Sequence, residues 1–217
     1  MNKRSFAERL QDAYSGAVFD VLRAMGYHHQ ALPNAIRPLL INSKIAGPVF
    51  TIEGCRSEGL SDHETLLRWC RLLSNAPKDH ILVCQPNDGT VSHMGELSSE
   101  TLAYKGVKGY IVDGGCRDSA FIEQLGFPVF CKYYTPVDIV GKWAAHKFGE
   151  PITIGDVTVN TGDYIIADRD GVVVIPHAIL EEVTAKVEDV LQTENKVRTA
   201  ILKGIDPVDA YLEYGKF

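Results

Sequence analysis

The chain has 217 residues, 45% of them hydrophobic and 23% charged, with a formal net charge of −6. That length closes one sizeable core and leaves little for a second, so one domain over residues 1–217 is expected, and the composition is that of an ordinary globular protein. The negative balance and the dispersed Lys and Arg residues argue against a nucleic-acid groove, and no window approaches the roughly 18 apolar residues of a membrane-spanning helix. Met1-Asn2-Lys3-Arg4-Ser5 is followed by no apolar run, so a secretory signal is not expected. Cys55, Cys70, Cys84, Cys116 and Cys131 form no Cys-x-x-Cys pair, which fits a reduced, cytoplasmic setting. Only Cys116, beside a charged pair, stands out from the expected core cysteines.

In chain order, Ser5-Phe6-Ala7-Glu8 has capping-box spacing and opens a helix with Leu10 and Ala13 on its apolar face. A second helix carries Val18, Val21, Leu22 and Met25 and stops at Gly26. The side chains of the following His28 and His29 diverge on an irregular segment, which disfavours a metal site. Val49 to Ile52 reads as a strand. Asp62-His63-Glu64 begins a helix for which Leu66, Leu67, Cys70 and Leu73 are the expected buried stripe; residue 67 is Leu, so a zinc-protease helix is excluded. Residues 81–84 are a buried strand, followed over residues 85–95 by a glycine-containing excursion of the kind that faces ligands.

Gly95-Glu96-Leu97-Ser98 opens the next helix, which ends at Gly106. Residues 109–118 read Gly-Tyr-Ile-Val-Asp-Gly-Gly-Cys-Arg-Asp, a strand, a glycine turn expected to let a ligand approach the backbone, and a helix start. That helix has Ala120, Phe121 and Leu125 as its expected apolar positions. Residues 128–131 form a third strand of a parallel crossover series. No Gly-x-Gly-x-x-Gly or Walker loop is present, so neither a dinucleotide nor a nucleoside triphosphate is indicated. From Pro151 short strands at 152–154, 157–159, 164–167 and 172–175 alternate with turn signals and form a hairpin block. Asp168-Arg169-Asp170-Gly171 lacks the closing Glu of a calcium loop, since Ile179 stands there. A long helix over residues 178–202 offers an oligomer contact, and a tail helix starts near Asp206-Pro207.

Twenty residues separate Glu96 from Arg117, which is one helix and one strand. Such a crossover returns the chain to the same end of the sheet, so the helix starts at Gly95 and at Arg117-Asp118 should line one crevice. The first offers free N–H groups and a positive dipole end, a seat for a carboxylate. The second adds a guanidinium and one carboxylate. A single Asp suits Mg2+, which keeps its waters and takes further ligands from a chelating 2-oxo acid. Metal and Arg117 together would stabilise an enolate. Acidic residues in first helical turns also favour the dipole for purely structural reasons, and the residues alone leave both readings open.

At these positions the sequence resembles the RraA-like family, which includes the class II 4-hydroxy-4-methyl-2-oxoglutarate/4-carboxy-4-hydroxy-2-oxoadipate aldolases and the regulators of ribonuclease E activity. The resemblance rests on Gly95-Glu96-Leu97, then Asp113-Gly114-Gly115-Cys116-Arg117-Asp118, with further landmarks at Gly47-Pro48-Val49, Gly155-Asp156-Val157-Thr158-Val159 and residues 167–176. It implies an α/β class, a compact layered swivelling β/β/α fold with a central sheet, the hairpin block and the long C-terminal helix, assembled as trimers or hexamers with active sites at subunit boundaries. It further implies Asp118 as the Mg2+ or Mn2+ ligand, Arg117 as the substrate and enolate clamp, and the amides of residues 95–98 as the carboxylate seat. Glu194 is the match to a glutamate that a neighbouring subunit lends to the metal-bound water. The implied activity is retro-aldol cleavage of a 4-hydroxy-2-oxo acid to pyruvate, with oxaloacetate decarboxylation beside it. The alternatives are a non-catalytic regulator of ribonuclease E or a helicase, and a related lyase or hydrolase acting on a sugar-acid derivative. The chain departs from the aldolase pattern at Glu96, where that pattern has Asp. Ser98 and the Lys142-Trp143 loop are expected to bear on the substrate's tail.

Overall fold

The computed structural model describes residues 4–216; Met1, Asn2, Lys3 and Phe217, which the sequence reading touched, lie outside the described residues. The elements run α1 (Phe6–Leu10), α2 (Ser15–Ala24), β1 (Arg37–Pro38), β2 (Ile45–Arg56), α3 (Asp62–Asn75), β3 (Ile81–Gln85), α4 (Glu96–Tyr104), β4 (Gly109–Val112), β5 (Gly115–Cys116) and α5 (Ser119–Leu125). There follow β6 (Val129–Cys131), β7 (Tyr133–Tyr134), β8 (Trp143–Phe148), β9 (Ile152–Ile154), β10 (Val157–Val159), β11 (Tyr164–Asp168), β12 (Gly171–Ile175), α6 (Leu180–Leu202) and α7 (Pro207–Tyr214).

The central sheet is mixed, in the order β1-β6-β4-β3-β2-β11-β12, with β8 also on β2. Its middle, β6-β4-β3-β2, is parallel. The other pairings in this sheet are antiparallel. The middle strands read as unbroken apolar runs because both of their faces are covered. On β3, Leu82 and Cys84 face a core under α3, α4 and α5, while Ile81 and Val83 face a second core closed by the β9–β10 hairpin. A third core holds α1, α2 and α6 against β11 and β12 through Leu10, Val18, Leu22, Ile166, Val183 and Val187. The expected hairpin block is thus divided. Its second hairpin joins the central sheet, and its first stands as a separate two-stranded ribbon.

Two buried stripes fall elsewhere than expected. On α3, Leu66, Leu67 and Cys70 are exposed, and the covered side is Thr65, Leu72 and Leu73 with Trp69 packed against it. On α5, Ala120, Phe121 and Leu125 are exposed and Ile122 is buried. Trp143 is also not a loop residue near substrate: it begins β8 and is fully buried. Its indole Nε1 donates to the Pro86 carbonyl at 2.7 Å, and the bare backbone of Gly54 makes room for its ring, since a Cβ there would stand 1.9 Å from Cζ2. Trp143→Phe leaves that buried carbonyl without a donor and opens a cavity. It is expected to lower the unfolding free energy by about 2 kcal/mol, read as a lower urea midpoint at an unchanged slope.

Candidate active site

Because β3 and β4 are parallel neighbours, the segment leaving β3 and the turn leaving β4 emerge at one edge of the sheet, where open α/β sheets bind ligands. The two segments run alongside each other. The His93 amide donates to the Gly115 carbonyl at 2.8 Å and the Arg117 amide to the Met94 carbonyl at 2.9 Å. The Ser92 hydroxyl also donates to the Met94 carbonyl, at 2.7 Å. The last rung is made by a side chain: the Glu96 amide donates to Asp118 Oδ2 at 3.1 Å.

Asp118 reaches that position from a left-handed backbone, φ 55°, which Asp tolerates better than most residues. It is the N-cap of α5, but its carboxylate makes no bond to that helix and caps α4 instead. Among the three first-turn amides of α4 that lack an intrahelical acceptor, this occupies Glu96 and leaves those of Leu97 and Ser98 for a ligand. The Ser98 hydroxyl accepts from Trp69 Nε1 at 2.9 Å and ties α4 to α3. Arg117 Nε stands 3.4 Å from Asp118 Oδ2, and its Nη1 lies 3.7 Å from Asp138 Oδ2. Gly95 is the closest backbone to the pair. A Cβ there would meet Asp118 Oδ2 at 2.7 Å and Arg117 Cγ and Nε at 3.3 Å.

Gly95, Glu96, Leu97, Ser98, Arg117 and Asp118 are therefore assembled at one edge. Glu194 is held in a different place within the chain. It accepts from the Tyr14 hydroxyl at 2.6 Å, stands 3.7 Å from Lys216 Nζ, and lines a cavity of about 400 Å3 with Asp20, Val197 and Arg198. Burial, together with the bond to Glu194, pushes the Tyr14 hydroxyl up to about 12.

Two expectations about the turn are corrected. Gly114 and Gly115 admit protein neighbours where a ligand was expected: a Cβ at 114 would stand 2.5 Å from His93 Nδ1, and one at 115 would stand 2.5 Å from Tyr133 Cε2. Cys116 is a fully buried core residue, its Sγ 3.4 Å from the Arg117 carbonyl, and the neighbouring Cys131 together with burial pushes its thiol far up.

The residues missed in the sequence are Asp138, which faces Arg117, and a buried polar pair behind the turn, His93 and Asp88. The His93 side chain is wholly buried, its Nδ1 accepts from the Gly115 amide at 3.3 Å, and its Nε2 lies 3.6 Å from Asp88 Oδ2. Burial drives the imidazole down to about 4, against the opposing pull of Asp88. Burial would raise the Asp88 carboxyl, but Arg56 at 2.8 Å and the amides of Thr90 and Val91 hold it well below the carboxylate range. The glycine-bearing 85–95 excursion was the signal available in the sequence.

Among the described residues no group of three or more His, Cys, Asp or Glu gathers as a metal cage. The donor set does fit a hard cation that keeps its water. The recorded contacts of the Asp118 carboxylate engage Oδ2, so Oδ1 is free to ligate, and one carboxylate with substrate oxygens suits Mg2+ or Mn2+ where a zinc site would need more protein ligands.

A mixed α/β sheet with an amide cradle and an arginine–aspartate turn at its parallel edge defines an α/β protein with an anion-binding crevice. The chain belongs to the RraA-like family: the Aldolase/RraA family model matches residues 15–174. Protein DlpA of Legionella pneumophila is 33% identical over 204 residues, which are 91% of this chain and 32% of that protein; the chain thus spans about a third of DlpA. The "Putative 4-hydroxy-4-methyl-2-oxoglutarate aldolase" of Halalkalibacterium halodurans is 29% identical over 182 residues, 84% of this chain and 83% of that one. A crystal structure described as one of novel cellulases from microbes associated with the gut ecosystem superposes with a TM-score of 0.84 at 31% identity, covering 90% of this chain and 88% of that one. No helix of the described residues is long and apolar enough to cross a membrane.

Proposed function

We propose that the protein is a divalent-metal-dependent lyase that cleaves a 4-hydroxy-2-oxo acid, of the 4-hydroxy-4-methyl-2-oxoglutarate kind, by a retro-aldol reaction to pyruvate, and that it decarboxylates oxaloacetate in the same crevice. The observation that carries this reading is the Asp118 carboxylate fixed between the Glu96 amide and Arg117 with one oxygen free. Asp118 would hold Mg2+ or Mn2+, and the bound cation would polarise the 2-oxo group as a Lewis acid. The free amides of Leu97 and Ser98 receive the substrate carboxylate at the positive end of α4. Arg117 donates to the oxygen on which negative charge develops as the carbon–carbon bond breaks, and Asp138 at 3.7 Å limits where that guanidinium can swing. Glu96 begins α4 with its backbone on Asp118, so its side chain stands within reach of water around the same carboxylate.

The proton on the substrate's 4-hydroxyl needs an acceptor, and Glu194 of a second copy, in a homotrimer or homohexamer, is the proposed one. Exposed Leu97, Phe121, Leu125 and Tyr134 surround the crevice with apolar surface that a neighbouring copy would cover, which supports a site at a boundary between copies.

The test is an assay of the purified protein with Mg2+ or Mn2+ against 4-hydroxy-2-oxo acids, oxaloacetate and a β-1,4-glucan, with pyruvate read through NADH consumption by lactate dehydrogenase. Metal-dependent pyruvate from an oxo acid is expected. No pyruvate above a chelated control from any of the oxo acids would overturn the reading, and sugar release from the glucan would replace it.

A further inference from the structure

We infer that His93 is a positioning residue for the Arg117–Asp118 turn: it grips both backbone polar groups of Gly115 and thereby sets where the guanidinium and the carboxylate stand. The inference deepens the lyase reading and rests on it for the purpose of the turn, while the grip itself is geometric. The His93 amide donates to the Gly115 carbonyl at 2.8 Å and Nδ1 accepts from the Gly115 amide at 3.3 Å, so one residue closes a ring on the turn two positions before Arg117. The imidazole lies against the bare backbone of Gly114, where a Cβ would stand 2.5 Å from Nδ1.

An imidazole that accepts through Nδ1 carries its proton on Nε2. Nε2 is buried without a hydrogen-bond partner, and the nearest acceptor is the Asp88 carboxylate at 3.6 Å. Asp88 cannot relax towards it, because Arg56, Thr90 and Val91 already bind that carboxylate. The ring's other side is set by Trp143, edge to face at 4.9 Å, which is pinned to the Pro86 carbonyl. The ring is therefore clamped between Trp143 and Asp88 with one acceptor aimed at the turn. A histidine retained only to fill space would have no need of that acceptor.

Three substitutions separate the two roles. His93→Asn places its Oδ1 where Nδ1 stands; His93→Leu fills the space without an acceptor; His93→Gln keeps an amide but carries its oxygen one methylene beyond. Hydrogen exchange across residues 113–118 and Mn2+ affinity are measured on each, with kcat and KM for the oxo acid and thermal midpoints alongside. In His93→Leu and His93→Gln, exchange in the turn is expected to quicken and Mn2+ affinity and kcat to fall about tenfold or more, with KM changed far less. His93→Asn is expected to hold exchange and Mn2+ affinity within about threefold of the parent even though it is less stable than His93→Leu. The inference is overturned if His93→Leu or His93→Gln keeps the parent's exchange and Mn2+ affinity, or if all three lose them in proportion to their loss of stability. Exchange is read without turnover, so an inactive parent whose turn still loosens in His93→Leu would refute the lyase reading and leave the positioning role standing.

Discussion

Asp118→Asn is expected to leave the protein folded and to cost about a thousandfold or more in kcat/KM, with a matching loss of Mg2+ and Mn2+ binding. Asparagine tolerates the left-handed backbone at this position nearly as well as aspartate does, and its carbonyl oxygen still accepts from the Glu96 amide, so α4 stays capped and the turn stays shut. What disappears is the negative charge, and with it the attraction for a hard cation. The adjoining Arg117, 3.4 Å away, is then left facing a neutral amide and adds repulsion towards any cation that approaches. Asp118→Ala is a poorer probe, because it also removes the cap and places a side chain that disfavours φ 55° at a cost of about 1–2 kcal/mol. Calorimetric titration of Mn2+ into the Asn variant, with circular dichroism to confirm the fold, decides the matter. Retained binding and turnover would remove Asp118 from the metal.

The part of the site legible in the sequence was the part fixed by chain length. One helix and one strand between Glu96 and Arg117 must return to the same sheet edge, and the bond from the Glu96 amide to Asp118 is that return realised. The parallel strands were legible because their apolar runs have no polar face. Periodicity failed on α3 and α5, where it shows which residues share a side but not which side meets the core. Leu66, Leu67 and Cys70 form a stripe as regular as Thr65, Trp69 and Leu72, and only the packing of β8 and α4 against α3 selects the second. Those exposed stripes are intelligible if other copies cover them. His93 was illegible for a different reason. Its partner is a backbone 22 residues away, and a lone histidine between Ser92 and Met94 shows no periodicity and no motif. Glycine was misread likewise: Gly114 and Gly115 are required by His93 and Tyr133, which no local pattern announces.

Gly95 is the glycine whose absence of a side chain bears directly on the chemistry. Its backbone, φ −151° and ψ −176°, is extended and open to any residue, so Gly95→Ala carries no conformational strain. The new methyl would stand 2.7 Å from Asp118 Oδ2 and 3.3 Å from Arg117 Nε, closer than either can remain. Asp118 is tethered to the very next amide and cannot move away without uncapping α4, so the displacement falls on the carboxylate and guanidinium together. A shift approaching 1 Å in groups that must converge on one substrate oxygen is expected to reduce kcat/KM about a hundredfold, with unfolding free energy changed by no more than about 1 kcal/mol. Gly89→Ala serves as the comparison, since nothing lies within 4 Å of its Cβ position and its φ is not positive; turnover like the parent's is expected there. Steady-state kinetics and urea unfolding on the two variants test the claim. A Gly95→Ala protein that turns over like Gly89→Ala would mean that the gap between Gly95 and the Arg117–Asp118 pair is packing space with no part in catalysis.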